Sequence, residues 1–116
     1  MIIAVDFDGV ICNSAYPELG DAMPGVRKAI KELRERGHYV IVWTCRTGEP
    51  LLQAINWMRE QRISFDRVND HSPENLAEYG EGGKKIYADV YIDDKNLGGF
   101  DGWFAAMDRL REMPEY

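Results

Sequence analysis

Two carboxylates stand two residues apart near the start of the chain, in Asp6-Phe7-Asp8-Gly9, and two more stand side by side in Asp93-Asp94. On an extended segment, side chains two apart point the same way. Asp6 and Asp8 can therefore converge while Phe7 packs into a core. Carboxylates that close repel each other, so the pair calls for a cation or a shared proton. Gly9 lets the chain turn sharply and lets a ligand approach the backbone. The later ligands of a calcium-binding loop are missing. Taken alone, D-x-D-G is also the pattern of a turn with two solvated acids. Asp93-Asp94, directly after an apolar run, is either a plain turn before Lys95 and Asn96 or a place where something positive sits. Four carboxylates at one edge are hard oxygen donors suited to Mg²⁺, which keeps several waters and binds substrate phosphate.

Other side chains gain meaning only beside those acids. Thr44 follows Trp43, where its hydroxyl can donate to a phosphoryl oxygen. Lys84 and Lys85 alone read as a solvated pair; near four carboxylates, one of them can neutralise negative charge on a substrate. The Arg46 guanidinium can grip a second anionic group or be a surface charge. His71 reads as a loop residue, and Cys12 and Cys45 as small packed side chains. Tyr16, Trp43 and Trp57 read as packing residues.

The elements that must position these groups follow from periodicity. Ile2 to Phe7 is apolar and β-branched, the signature of a buried strand. Pro24 and Gly25 open a helix in which Val26, Ala29, Ile30 and Leu33 form an apolar stripe at helical period. Arg34 and Arg36 fall in its last turn and Gly37 stops it. Tyr39 to Trp43 is a second strand, apolar throughout, as for a parallel strand covered on both faces. Pro50 starts a second helix with Leu51, Ile55 and Met58 inward. Ser64 to Val68 is a third strand. Residues 69–83 are mostly loop, with a helical turn around Glu74 to Tyr79. Val90 to Ile92 is a fourth strand. Asp101 caps a last helix running to about Glu112, with Trp103, Met107 and Leu110 on one face.

Alternating strands and helices predict right-handed β-α-β units and a parallel sheet. Ligands of such sheets bind beyond the carboxyl ends of the strands. Asp6 and Asp8, Thr44, and Asp93 and Asp94 each follow a strand, so all fall at that edge.

The 116 residues are 45% hydrophobic and 29% charged. One globular domain spanning residues 1–116 is expected. No apolar run approaches the roughly 18 residues of a membrane span, and the start of the chain lacks the basic region of a signal peptide, so a cytoplasmic protein is expected. The formal charge of -6 repels a nucleic-acid backbone. Cys12 and Cys45 form no disulfide framework and no zinc-binding pair.

DFDGV, then VWTCR, then a Lys ahead of ADVYIDD, resemble the four signature motifs of the haloacid dehalogenase superfamily. The resemblance runs from Ile2 to about Gly99, in the family's order and at the ends of the expected strands. It implies a three-layer, Rossmann-like parallel sheet with flanking helices. It implies Mg²⁺-dependent hydrolysis of a phosphate monoester, with Asp6 as nucleophile, Asp8 as general acid/base, Thr44 as the second-motif hydroxyl and Lys85 as the third-motif lysine, Lys84 being the fallback. The second acid marks phosphatases of the superfamily; its dehalogenases lack it. The implied metal set is Asp6, Asp8 through its backbone carbonyl, and Asp93 or Asp94. Gly9, Cys45, Arg46 and Lys84 complete the expected substrate contacts.

The stretches before the first helix and between Thr44 and Lys85 are too short for a cap domain, so the chain resembles the capless, small bacterial members. The loops 13–19, 46–49 and 69–75 are then left to contact substrate. A phosphorylated small molecule is favoured over a macromolecule; no membrane is expected, and homo-oligomerisation is left open. Two other classes compete. A response-regulator receiver also carries an acidic pair, a Thr and a Lys, but its motifs come in a different order. A non-catalytic or regulatory phosphate-binding protein would use the same fold.

Overall fold

The computed structural model describes residues 1–116. The apolar β-branched runs form β1 (Ile2–Val5), β2 (Tyr39–Val42) and β4 (Val90–Ile92), and the short β3 is Arg67–Val68. Between and after them lie α1 (Val26–Glu35), α2 (Gly48–Glu60), α3 (Pro73–Tyr79) and α4 (Trp103–Arg111). The sheet order is β3-β2-β1-β4 and every pair is parallel. No separate cap domain is present, and no helix is long and apolar enough to cross a membrane.

Alternation along the strands divides the core. Ile3 and Val5 of β1 and Val40 and Val42 of β2 face one side, where they meet Ile30 and Leu33 of α1, Trp57 and Met58 of α2, and Trp103 and Met107 of α4. Ala4 and Ile41 face the other side and meet Ile86 and Ala88. The helical layers are therefore unequal. α1, α2 and α4 cover one face, whereas the second apolar cluster involves the segment leading into β4. Arg111 ties α4 to α1 through a pair with Glu32 at 2.9 Å, and the Tyr116 hydroxyl donates to the same carboxylate.

Several expected boundaries move. β1 stops at Val5 and β2 at Val42, although the Trp43 N–H still donates to the Val5 carbonyl at 2.8 Å. The third strand shrinks to two residues. Asp66 lies just before it and exchanges two bonds with Val40, its N–H donating to the Val40 carbonyl and its carboxylate accepting from the Val40 N–H, each at 2.8 Å. α2 begins at Gly48 rather than Pro50, and its buried residues are Ala54, Trp57 and Met58, with Leu51 and Ile55 half-buried. Asp101 does not cap α4: Gly102 takes the N-cap position with no side-chain bond, and Asp101 is exposed. The helical turn expected near Glu74 is α3, capped by the Ser72 hydroxyl, which accepts from the Asn75 N–H.

Candidate active site

Parallel register brings the acids together. Val5 lies opposite both Val42 and Ile92. The next residues on the three strands, Asp6, Trp43 and Asp93, thus leave the sheet at one level. The Asp6 N–H donates to the Ile92 carbonyl at 2.9 Å, which continues the ladder to the edge of the site.

Asp6, Asp93 and Asp94 each offer a carboxylate oxygen, and these atoms lie within 4.8 Å of one another. All three residues are half-buried. Burial, then the charge of Asp93, then a hydrogen bond with Asp94 push the Asp6 carboxyl up from an ordinary 3.8 to about 8. The Phe7 N–H donates to Asp6 Oδ1 at 2.8 Å and partly offsets this. Such a cluster is unfavourable as three bare anions and favourable around a hard cation. The donor set therefore fits a divalent ion: three carboxylate oxygens and no nitrogen or sulfur ligand.

The turn after β1 makes room for this. Phe7 is fully buried, edge-on to Trp57 at 5.5 Å between ring centres, a contact worth about 0.5–1.5 kcal/mol beyond its area. Its carbonyl accepts from the Val10, Ile11 and Cys12 N–H groups, which folds the chain back on itself. Gly9 sits in this turn at φ +84, and a Cβ there would lie 2.3 Å from Asp94 Oδ2. The Trp103 indole N–H donates to the Val10 carbonyl at 2.7 Å and fastens the turn to α4.

The Asp8 carboxylate is not in the three-acid cluster. It is held by Arg46 through Nη2 to Oδ1 at 2.8 Å and Nε to Oδ2 at 3.0 Å. Arg46 is not a surface charge: its side chain is fully buried, and its Nη1 donates to the Pro17 and Pro50 carbonyls.

Thr44 follows β2, and its hydroxyl accepts from the Arg46 N–H at 3.1 Å. Asn69, at φ +53 directly after β3, bonds Thr44 twice: its Oδ1 accepts from the Thr44 N–H at 2.8 Å and its Nδ2 donates to the Thr44 carbonyl at 2.9 Å. Asn69 opens the 69–75 loop expected to contact substrate, and here it braces the Thr44 turn. Its residue type was the available signal, since Asn tolerates the left-handed region.

Lys84 and Lys85 are exposed, and neither forms an ion pair; Lys85 Nζ lies 4.9 Å from the centre of the Tyr91 ring. Of the residues expected to be packed, Cys12 and Trp57 are buried and Trp43 is half-buried, whereas Cys45 is exposed and Tyr16 is 63% exposed. His71 is a loop residue whose Nδ1 accepts from the Tyr87 N–H at 3.4 Å.

No family model matches the chain, and no curated protein does. Among solved structures, the product of a conserved locus of Bacteroides thetaiotaomicron superposes with a TM-score of 0.86 at 38% identity, over 97% of this chain and 90% of that one. The Pnkp1/Rnl/Hen1 RNA repair complex aligns at 18% identity and a TM-score of 0.57, over 95% of this chain and 39% of that one. D,D-heptose 1,7-bisphosphate phosphatase from Burkholderia thailandensis aligns at 15% identity and a TM-score of 0.51, over 97% and 99%. The last two likenesses are likenesses of fold. The chain belongs to the family of the conserved Bacteroides protein, and its parallel sheet with flanking helices is a haloacid dehalogenase-like core.

Proposed function

We propose that this protein is a Mg²⁺-dependent phosphatase of the capless class, acting on a phosphate monoester through an aspartyl phosphate on Asp6. The observation that carries the reading is the meeting of Asp6, Asp93 and Asp94 at the carboxyl edge of the sheet, with Asp8 close by in sequence but outside the cluster. Three acids suit a cation, and the fourth is left for proton transfer.

In this reading an Asp6 oxygen attacks phosphorus and the ester P–O bond breaks. Asp8 gives a proton to the departing oxygen, then takes one from the water that hydrolyses the acyl phosphate. Thr44, Lys85 or Lys84 and Cys45 hold the phosphoryl oxygens; the Gly9 N–H is taken by the Cys12 carbonyl at 2.9 Å, so the part of Gly9 is to leave the phosphate room. Mg²⁺, when bound, keeps Asp6 ionised and offsets the repulsion between its carboxylate and an anionic ester. Asp6 would supply one ligand oxygen, with Asp93 or Asp94 and the Asp8 carbonyl supplying others. Most of the rate enhancement in this reaction type comes from positioning and electrostatics.

The substrate expected is a phosphorylated small molecule. The test is phosphate release from sugar phosphates, a sugar bisphosphate, nucleotides, and 3′- and 5′-phosphorylated oligonucleotides, with Mg²⁺ or EDTA, for the wild type and Asp6→Asn. Release that needs Mg²⁺ and vanishes in Asp6→Asn supports the reading. No release from any ester by folded, Mg²⁺-loaded protein favours a phosphate-binding role instead.

A further inference from the structure

Arg46 is the only Lys or Arg whose residue the fold buries outright. A guanidinium in that position is costly unless its donors are satisfied. Here they are. Nε and Nη2 take Asp8, and Nη1 donates to the carbonyls of Pro17 and Pro50, each at 3.2 Å. The group lies 5.1 Å from the centre of the buried Phe7 ring and 4.9 Å from that of Tyr16. Residues from the first-strand turn, the following loop and α2 thus fix it on several sides. With its side chain fully buried and four of its five donors engaged, it is not presented to a substrate, and the one carboxylate it pairs with is Asp8.

Asp8 is two residues beyond Asp6 at the same edge. Nothing in that spacing keeps its carboxylate out of the cluster formed by Asp6, Asp93 and Asp94. The only side-chain partner of that carboxylate is the Arg46 guanidinium.

We infer that Arg46 is a positioning residue that partitions the four acids, holding Asp8 out of the three-acid cluster so that the cation does not claim it. The proton-transfer half of this inference rests on the proposed phosphatase activity; the cation half does not. Freed from Arg46, Asp8 becomes a fourth hard donor for a divalent ion.

The experiment has two arms. In the first, Mg²⁺ alone is titrated calorimetrically into the wild type, Arg46→Gln, Asp8→Asn and the double variant. Arg46→Gln is expected to bind Mg²⁺ about tenfold more tightly, because ligand charge count sets affinity. In the Asp8→Asn background the same change is expected to alter affinity by less than about twofold, since the two residues act as one unit. Equal tightening in both backgrounds would mean that loss of a nearby positive charge is the whole effect, and would overturn the inference, as would no tightening at all. If Arg46→Gln does not fold, Arg46→Lys is read in the same two backgrounds; it keeps the charge and loses the two-point grip.

The second arm compares kcat/KM for an alkyl phosphate and for p-nitrophenyl phosphate, whose leaving group needs no proton. Arg46→Gln, or Arg46→Lys in its place, is expected to lose about 10²–10⁴-fold on the alkyl ester and far less on the other. An equal loss on both esters would overturn the proton-transfer half. A wild type inactive on both would defeat the proposed activity, while the Mg²⁺ arm still decides the role of Arg46.

Discussion

Gly9 and Asp94 lie so close that a methyl group on the glycine would stand 2.3 Å from Asp94 Oδ2. The glycine also holds φ +84, where an L side chain is strained. Gly9→Ala should therefore cost about 1–3 kcal/mol of stability and displace Asp94. Divalent-cation affinity should fall about 10–100-fold, as when a group supporting a metal ligand is changed. Urea unfolding and Mg²⁺ titration check both. An alanine variant with wild-type cation affinity would place Asp94 outside the metal set.

Asp6 gives stability a pH dependence of known sign. Its carboxyl is raised from 3.8 to about 8, so between those values the native state binds more protons than the unfolded chain. In EDTA, its contribution to stability should be largest near pH 4 and should fall as pH rises to about 8. Mg²⁺ favours the ionised form and should flatten or reverse that slope. Asp6→Asn should remove it in EDTA. Denaturant midpoints across pH, in EDTA and in Mg²⁺, measure this directly.

Asn69 braces Thr44 through two hydrogen bonds. Asn69→Ala should cost about 1–3 kcal/mol, since it strands the Thr44 N–H and carbonyl. If Thr44 contacts the phosphoryl group, kcat/KM should drop as well. Unfolding curves and ester kinetics on one preparation separate the two effects.

Trp103→Phe should keep most of the packing of α4 and remove the donor to the Val10 carbonyl. The expected cost is about 1–3 kcal/mol, with little change in Mg²⁺ affinity, because no metal-site acid is touched. Thermal unfolding and Mg²⁺ titration test it.

How far the site could be read from sequence depended on whether the signal was local. The stripe of Val26, Ala29, Ile30 and Leu33 is buried along α1, because periodicity records which face meets a sheet. The gathering of Asp6, Asp93 and Asp94 was legible because parallel strands end at one edge, whatever their order. The burial of Arg46 was not. It depends on residues 8, 17, 46 and 50 meeting in space, and no spacing along the chain encodes that. Asp101 had the right residue type for a cap, but α4 begins at the buried Trp103, with Gly102 before it at φ +98. The third strand is shorter than the 64–68 expected, because residue order does not reveal that Asp66 bonds Val40 partly through its side chain.

Phosphate is expected to pass through Asp6 as an acyl phosphate. Protein mixed with a turned-over ester and Mg²⁺ can be quenched in acid, reduced with borohydride and mapped by peptide mass spectrometry. Borohydride converts an aspartyl phosphate to homoserine. Homoserine at position 6, absent without ester, is the predicted result. Turnover with Asp6 unmodified and another carboxylate reduced in its place would contradict the account.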